Sequence, residues 1–350
     1  MKSYPIYHKI LPTDERYGFE MEDYWVWCGS AIQGEDSRYH MFAARWPKNL
    51  PFFNGYLTAS EIVRASSDTP FGPYVFEEVV LGDRGEAFWD GRMTHNPSIV
   101  KYGDMYALFY IGSTYHGERP SAKMLVNAEN AVVGESYSNI RIGMATAKSV
   151  LGPWKRSDRP VFEADPKGWD CKLVTNPAPC VLSDGSVLMY YRSNTPKGLQ
   201  IGVAKAKDFF SPFLRIADRP IFERFTGMTV EDPFVWQQGD HIELIAKDCA
   251  GNICGELWGG VHMVSKDGVN FELAEDVKAY SRTIKFLDGT EKLAYHLERP
   301  NITMKEGKPF FMSAAYGIDG GETVQGGHAN FAVMKKAKTL IIPLEINTLE

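Results

Sequence analysis

The chain contains 350 residues, of which 44% are hydrophobic and 13% aromatic. This length allows one large domain or two ordinary ones, and the composition is too polar for a membrane protein. Lys and Arg number 38 against 44 Asp and Glu, a formal net charge of -6, and the charges are interspersed along the chain. We therefore expect neither nucleic acid nor a membrane as a partner, because both are normally bound by a concentrated basic face.

Metal, cofactor and export signals are also absent from the sequence. The five cysteines are odd in number and lack the paired spacing of a zinc site, so buried thiols are expected rather than metal ligands or disulfides. No cofactor is expected, and no loop has the spacing of a dedicated site for a hub cation such as calcium. The start of the chain lacks the apolar region of a signal peptide, which indicates a cytoplasmic protein, or a periplasmic or secreted one if a leader has been removed.

The predicted elements are short strands separated by turn signals, and in chain order they form five β-meanders. The first opens with YWVWCGSAI near Tyr24. The next three open with THNPSIV near Thr94, VTNPAPCV near Val174 and VEDPFVW near Val230, and each continues into an aromatic or β-branched strand. The fifth opens with LERPNITM near Leu297 and continues into PFFMSAA.

Internal repeats indicate that these meanders are copies of one structural unit. IGMATAK from Ile142 recurs as IGVAKAK from Ile201, and DRPVFE recurs as DRPIFE at nearly the same interval. A third pair, WDGRMTHNPSIV and WDCKLVTNPAPC, is separated by a longer interval, so we expect an insertion within Tyr115–Asn139. Five such units predict an all-β fold, a five-bladed β-propeller of four-stranded antiparallel sheets that spans residues 1–350 as one domain.

The last blade of such a propeller must be closed. A strand from the other end of the chain normally does this, so that no sheet edge is left unprotected. The segment NFAVMKKAKTLIIPLEI, from Asn330, supplies late strands for the closure. The sequence leaves open which terminus provides the closing strand.

Polar residues cluster where the five meanders open. In a propeller the first strand of every blade lines the central channel, so side chains at the starts of these strands converge on one ligand. The openings and their neighbours contribute carboxylates, amides, histidines, arginines and a tryptophan. The candidate residues are Asp23, Trp27, Asp90, Arg92, His95, Asn96, Asp170, Asn176, Arg192, Glu231, Asp232, His296, Glu298 and Arg299.

The openings THNPSIV, VEDPFVW and LERPNI, with the aromatic strands that follow them, resemble those of the five-bladed glycoside hydrolases of families 43, 32 and 117 and their relatives. The resemblance implies a base or nucleophile carboxylate, a second Asp that tunes pKa and position, and a Glu general acid, each on the inner strand of a different blade. Carried over by motif, Asp232 of VEDP is the tuning residue and Glu298 of LERP is the acid.

The base departs from this pattern. The opening that carries Asp-Pro in those families reads Asn96-Pro97 here, and an amide cannot accept a proton from water. Asp90, earlier in the same opening, is the preferred base. Asp23 is the alternative if the blades are counted from the N-terminus.

These residues predict a glycosidase that acts on an oligosaccharide or polysaccharide. Glycosidic cleavage passes through an oxocarbenium-like state, so a protonated acid donates to the leaving oxygen while an ionised carboxylate activates water or attacks directly. A third carboxylate nearby raises the pKa of the acid by like-charge repulsion. We expect inversion of the anomeric centre, as in families 43 and 117, and we expect the remaining candidate residues to bind the carbohydrate.

Other interpretations of the same residues stay open. The repeated Trp-Asp pairs at Trp89 and Trp169 also fit inter-blade packing, with Asp90 and Asp170 bonded to neighbouring groups at the blade entry. Two other functions compete with hydrolysis. One is a carbohydrate-binding propeller without catalysis, which the amide of Asn96 favours. The other is a glycoside phosphorylase, in which phosphate replaces water and a basic pocket replaces the base.

Overall fold

The computed structural model describes residues 2–126, 130–223, 229–319 and 334–346, and this part of the chain folds into a five-bladed β-propeller. Blade one contains β1 (Tyr24–Gln33), β2 (Tyr39–Pro47), β3 (Glu61–Ser67) and β4 (Val75–Leu81). Blade two contains β5 (Met93–Tyr102), β6 (Met105–Ser113), β7 (Arg141–Ala147) and β8 (Lys155–Arg156). Blade three contains β9 (Thr175–Val181), β10 (Val187–Thr195), β11 (Gly198–Ala206) and β12 (Leu214–Arg215).

The remaining strands complete the ring. Blade four contains β13 (Val230–Gln238), β14 (His241–Asp248), β15 (Gly260–Ser265) and β16 (Glu272–Tyr280). A hairpin of β17 (Thr283–Lys285) and β18 (Glu291–Leu293) precedes blade five, which contains β19 (His296–Lys305), β20 (Lys308–Asp319) and β21 (Met334–Pro343). Within each blade, neighbouring strands are consecutive and antiparallel. The predicted five blades are confirmed, and each first strand begins within one residue of its expected opening.

The fifth blade is closed by the N-terminal segment. Phe19 and Thr339 of β21 exchange backbone hydrogen bonds of 2.9 and 3.0 Å, and the amide of Leu11 donates to the carbonyl of Pro343 at 3.0 Å. β21 is therefore the third strand of its blade, and the N-terminal segment occupies the place of the fourth. This pairing answers the question that the sequence left open, because the start of the chain covers the edge of the last sheet.

Apolar side chains fill the spaces between adjacent blades. Every residue of β2 except Pro47 is buried, because a propeller blade packs on both faces and its strands need no polar side. Between blades two and three, Phe109 contacts Phe209 and Phe213 with ring centroids 5.5 and 5.9 Å apart. Burial of such a ring contributes about 2 kcal/mol. These contacts keep the inner strands in place around the axis.

A few short helices lie outside the blades. A 3-10 helix (Ile6–Lys9) precedes the first blade, and α1 (Phe52–Ala59) connects β2 to β3. The predicted insertion in blade two contains α2 (Ala122–Leu125) and α3 (Ala131–Ser138). It packs on α1, because the side chain of Asn54 donates to the carbonyl of Leu125 at 2.7 Å. In the described ranges no helix has the length and apolar character needed to cross a membrane.

Candidate active site

Each blade carries a β-bulge in its innermost strand, near the point where that strand begins. The pairing with the second strand shifts register between Trp27 and Ser30 in blade one, and at the corresponding place in the other four blades. At every bulge one residue other than glycine has a positive φ, between 51° and 59°. This conformation costs about 1–3 kcal/mol, so the surrounding packing must impose it. The five residues are Cys28, Asn96, Asn176, Asp232 and Arg299.

These five residues, which we name the axial ring, are joined side by side. The Cys28 thiol donates to Oδ1 of Asn96 at 2.8 Å, and Nδ2 of Asn96 donates to Oδ1 of Asn176 at 2.6 Å. Nδ2 of Asn176 donates to Oδ1 of Asp232 at 2.8 Å. The backbone amide of Arg299 donates to Oδ2 of Asp232 at 3.2 Å. Blades three and five therefore fix both oxygens of the Asp232 carboxylate.

A cavity of about 540 Å³ lies at this end of the propeller, within the range of ~300–1,000 Å³ usual for small-molecule sites. The residue before each member of the axial ring lines it, so the repeated bulge aims one side chain per blade at the same space. Helix α1 and the insertion contribute Tyr56 and Tyr137 to its wall. The five residues that precede the axial ring are Trp27, His95, Thr175, Glu231 and Glu298.

Lys247 connects the three carboxylates of the cavity. It lies on β14, directly opposite Glu231 in the strand pairing, and it is buried. Its Nζ is 2.9 Å from Oε1 of Glu298, 3.3 Å from Oε2 of Glu231 and 3.5 Å from Oδ2 of Asp232. A buried ammonium among several carboxylates is strongly held, because removing either sign of charge leaves the other uncompensated.

The surroundings give Glu298 and Asp232 opposite shifts of pKa. Burial opposes the ionisation of Glu298, but the Lys247 ammonium and a hydrogen bond from His296, whose Nδ1 is 3.0 Å from Oε1, outweigh it and lower the pKa of this carboxyl. Burial raises the pKa of Asp232, and the nearby charge of Glu231 raises it further. Glu298 is therefore the carboxyl that is kept ionised, and Asp232 is the one that retains a proton more readily.

His95 is held as a neutral ring in the cavity wall. Its imidazole stacks on Tyr56 with centroids 4.6 Å apart, and the Ser60 hydroxyl lies 2.8 Å from Nδ1. Burial and the charge of Arg299 lower the pKa of His95 to about 3. A ring that stays neutral can hydrogen-bond a ligand, but it does not supply a proton near neutral pH.

The structure brings nine of the candidates from the sequence to the cavity and places Asp90 elsewhere. The Asp90 carboxylate is fully buried and accepts hydrogen bonds of 2.7 Å from Nε of Arg84 and from the hydroxyl of Tyr110. The adjacent Trp89 ring stacks on Tyr110. The Trp-Asp pair binds the blade entry to the second strand, so the Asp90 carboxylate does not line the cavity. The nine residues that do line the cavity are Trp27, His95, Asn96, Asn176, Arg192, Glu231, Asp232, Glu298 and Arg299.

Asp170 occupies the equivalent place in blade three. Its carboxylate accepts a hydrogen bond of 2.8 Å from the Tyr191 hydroxyl and one of 2.9 Å from Nε of Arg215. The ring of Trp169 stacks on Tyr191 as Trp89 does on its own tyrosine. The repeated Trp-Asp pair therefore makes the same structural contacts in two blades. Asp170 is not among the residues that line the cavity.

Three further candidates lie outside the cavity lining. Asp23 is exposed before β1 and contributes its carbonyl to the amide of Lys48. Arg92 donates to the carbonyl of Gly117 at 3.1 Å. His296 is buried behind Glu298 and acts on the cavity through that carboxyl.

Two residues of the site were missed in the sequence. Lys247 lies near the end of HIELIAKD, a segment that reads as an ordinary strand, and a lysine directly after the apolar residues LIA was the available signal. Trp258 lines the cavity from the loop between β14 and β15, and its ring stacks on His296 with centroids 5.9 Å apart. Among the described residues, no group of three or more His, Cys, Asp or Glu is arranged to hold a metal ion.

Comparison with known proteins gives a match in fold. No family model and no curated protein matches the chain. Zg3597, a family 117 glycoside hydrolase of the marine bacterium Zobellia galactanivorans, superimposes with a TM-score of 0.66 at 17% identity, over 96% of this chain and 89% of that one. A thermostable family-43 glycoside hydrolase superimposes with a TM-score of 0.59 at 13% identity, over 97% and 94%.

A third solved structure belongs to the GH130 family of mannoside phosphorylases, a family that contains glycoside hydrolases that target beta-1,2 mannosidic linkages in Candida mannan. It superimposes with a TM-score of 0.58 at 12% identity, over 97% of this chain and 96% of that one. The resemblance predicted from the motifs is thus confirmed for the fold. At these identities the likeness concerns the propeller, and the chemistry must be argued from this cavity.

Proposed function

We propose that this protein is a glycosidase whose reacting carboxyls are Glu231 and Glu298. The observation that carries the proposal is the convergence of three carboxyl groups from adjacent blades on Lys247 at one cavity. The side chains of Glu231 and Glu298 are 18% and 13% exposed, whereas that of Asp232 is 2% exposed. The two glutamates are therefore the carboxyls that a sugar can reach. The fold shared with glycoside hydrolases supports the same class of reaction.

The environment of each carboxyl supports a separate role. Glu298, whose pKa is lowered, is the ionised group that attacks the anomeric carbon or activates water. Glu231 is assigned as the proton donor to the leaving oxygen by its position, because its side chain is the more exposed of the two glutamates. It donates when the proton shared with the adjacent Asp232 lies on Glu231. Asp232 tunes the pair from behind, as its motif implies. Glu298 thus takes the ionised role here rather than the acid role expected from the resemblance.

The spacing of the two glutamates bears on stereochemistry. Oε2 of Glu231 and Oε1 of Glu298 lie 3.3 and 2.9 Å from the same Nζ, so the separation of these oxygens cannot reach the ~6.5 Å at which inverting pairs begin. This spacing favours retention over the inversion expected from the sequence. Proton NMR of the first anomer formed from a cleaved glycoside distinguishes the two outcomes.

Flat apolar faces and neutral donors complete a sugar site. Trp27 and Tyr56 line the cavity, and aromatic rings of this kind pack on the C–H faces of sugars. Asn96 and His95 provide uncharged polar groups beside them. Proteins bind carbohydrates through this combination of stacking and hydrogen bonds, so a carbohydrate is the proposed ligand.

Phosphorolysis is a second candidate, which the amide of Asn96 favours. The position that carries an Asp in the resembling hydrolases holds Asn96, and Arg192, Lys247 and Arg299 line the same cavity. In a phosphorylase those cations would hold inorganic phosphate, which would replace the attacking water. Activity that depends on added phosphate, with a sugar phosphate as product, would establish this alternative.

The test is release of reducing sugar from a panel of aryl glycosides and oligosaccharides, with and without phosphate. We expect Glu298→Gln and Glu231→Gln to lower the rate about 10³-fold, because each removes a group that acts in the transition state. The control is Glu291→Gln, an exposed glutamate on β18. Full activity in both cavity variants would refute the assignment. Retained sugar binding without release on any substrate would show a carbohydrate-binding propeller.

A further inference from the structure

Two buried arginines at the cavity have no carboxylate within hydrogen-bond distance. The side chains of Arg192 and Arg299 are 12% and 9% exposed. Nη2 of Arg192 is 3.9 Å from Glu231, and Nη1 of Arg299 is 3.8 Å from Asp232, both beyond the length of a hydrogen bond. Nε of each arginine and Nη1 of Arg299 have no hydrogen-bond partner among the described residues. Arginines are rarely buried unless they are paired, so this arrangement requires an explanation.

Each carboxylate of the cavity has a partner that is closer than these guanidinium groups. Glu298 is bonded by Lys247 and His296, at 2.9 and 3.0 Å. The oxygens of Asp232 accept from the Asn176 side chain and from a backbone amide. Glu231 is 3.3 Å from Lys247. The two guanidinium groups are therefore not required to neutralise the acidic residues at close range.

Arg192 is also held by a neutral group. Its Nη1 donates to Oδ1 of Asn194, and Nδ2 of Asn194 donates to the Tyr137 hydroxyl at 2.8 Å. These bonds fix the direction of the guanidinium, whose ion-pair contact to Glu231 is long, at 3.9 Å. Such a construction is suited to a ligand that brings the negative charge itself.

We propose that Arg192 and Arg299 bind an oxyanion in this cavity, and that the sugar cleaved here carries an acidic substituent such as a carboxylate or sulfate. A guanidinium offers a rigid fork of donors that matches the two oxygens of a carboxylate. A neutral sugar has no such pair of charged oxygens. Only the second part of this inference, that a sugar carries the acidic group, rests on the proposed function. Inorganic phosphate has the same oxyanion chemistry, and the experiment separates the two sources.

The charge of the cavity agrees with such a ligand. Its lining contains three cations, on Arg192, Lys247 and Arg299, and three carboxyl groups. Burial and the charge of Glu231 raise the pKa of Asp232 to about 6, so below that pH a proton on this carboxyl leaves positive charge in excess. A bound oxyanion would balance that excess.

Binding is measured by calorimetry on the full chain carrying Glu298→Gln, so that turnover does not consume the ligand. Galacturonate is compared with galactose, glucuronate with glucose, and inorganic phosphate is titrated separately. We expect at least one oxyanion to bind tenfold or more tightly than the neutral sugars, with an affinity that falls as salt is raised. Binding of uronates would identify the sugar as the source of the charge, and binding of phosphate alone would identify a free anion.

The arginines are tested by conservative substitution. Arg192→Lys and Arg299→Lys keep the charge but lose the fork, and we expect each to weaken oxyanion binding about tenfold. The matched control is Arg45→Lys, a buried arginine whose Nη2 is 2.9 Å from Glu61 outside this cavity. If Arg299→Lys fails to fold, Arg192→Lys carries the test, with folding checked by thermal melting.

Equal binding of neutral and acidic sugars with no phosphate binding would overturn the inference, as would unchanged affinity in both arginine variants. Oxyanion binding without sugar release would leave the inference standing and remove the glycosidase proposal. Sugar release only from neutral glycosides, without oxyanion binding, would support the glycosidase proposal and overturn the oxyanion inference. The two proposals therefore fail separately.

Discussion

Lys247 and Glu298 come from neighbouring blades and meet at 2.9 Å between Nζ and Oε1. Lys247 lies on the second strand of blade four and Glu298 on the first strand of blade five, so the contact forms only when the two blades are assembled. The contact therefore links the assembly of the propeller to the ionisation of the carboxyl that we place in the reaction.

Replacing Lys247 by Met should change the pH dependence of activity. The ammonium lowers the pKa of Glu298, so its removal raises that pKa and moves the acidic limb of the pH–rate profile to higher pH. We expect the rate near neutrality to fall about 100-fold, because Glu231 and Glu298 lose the ammonium group that holds them in position. The measurement is kcat/KM against pH on a substrate from the panel.

The control for this variant is Lys278→Met. Nζ of Lys278 is 3.1 Å from Glu256, in an ion pair that does not line the cavity. It should leave the acidic limb in place. An unchanged limb in the Lys247 variant would contradict the role given to this lysine.

Substitution of Asp90 by Asn should lower stability and leave the activity of the folded protein intact. The amide still accepts a hydrogen bond from Tyr110, but it leaves the charge of Arg84 without its partner in a buried setting. Breaking such a pair costs about 3 kcal/mol in the free energy of unfolding. Urea unfolding and the specific activity of the folded fraction give the two readouts.

Asp170→Asn is the matched comparison, because Asp170 makes the same contacts in blade three with Tyr191 and Arg215. Both variants should lose similar stability. A loss of activity near 10³-fold in the Asp90 variant alone would restore Asp90 as the catalytic base.

Much of the fold could be predicted because every blade repeats the same local pattern. The openings place Pro or Gly after the ring position, as at Asn96 and Asp232, and strands rich in aromatic and β-branched residues follow. Such signals are local and survive in one sequence. The position of the carboxyls Glu231, Asp232 and Glu298 at the cavity could be predicted for the same reason, since they belong to those openings.

The remaining parts of the site depend on contacts between distant segments. Asp90 follows a tryptophan in a repeated motif, and only the assembled blades show that Arg84 and Tyr110 occupy its carboxylate. Lys247 could not be linked to Glu298 until the register of β14 and the order of the blades were known. Trp258 depends on a loop whose shape no periodic pattern describes.

Introducing a carboxylate at the ring position, by Asn96→Asp, should not create a better enzyme. Nδ2 of Asn96 donates to Oδ1 of Asn176 at 2.6 Å, and both side chains are buried. In the variant, a carboxylate oxygen at position 96 would face the Asn176 oxygen, and neither can donate a hydrogen bond. We expect a loss of about 2 kcal/mol in stability and no increase in rate.

Asn301→Asp provides the control, because Oδ1 of Asn301 only accepts, from the Ser30 hydroxyl at 3.1 Å. A carboxylate keeps that bond, so stability should change little. A faster reaction in the Asn96 variant would show instead that this position can serve as the base.

Trp258 holds His296 in place, and it does so from an unfavourable backbone conformation. Its φ is 61°, which is rare for a bulky residue, and its ring lies nearly parallel to the His296 imidazole, at an angle of 16°. The Asp248 carboxylate fixes the loop by accepting backbone amides, including that of Ile253 at 2.7 Å. His296 in turn bonds Glu298, so we treat Trp258 as a positioning residue.

We expect Trp258→Ala to lower kcat about tenfold with a smaller effect on KM, and to shift the NMR signals of the His296 ring nitrogens. Trp258→Phe should restore most of kcat and of the original His296 signals, because an aromatic ring again stacks on the imidazole. Trp236→Ala is the control. The Trp236 ring stacks on His262 with centroids 6.0 Å apart and an interplanar angle of 18°, and Trp236 does not line the cavity. It should cost stability while leaving the His296 signals unchanged. If the two alanine variants behave alike in kcat and in those signals, Trp258 supports the fold only and does not position the histidine.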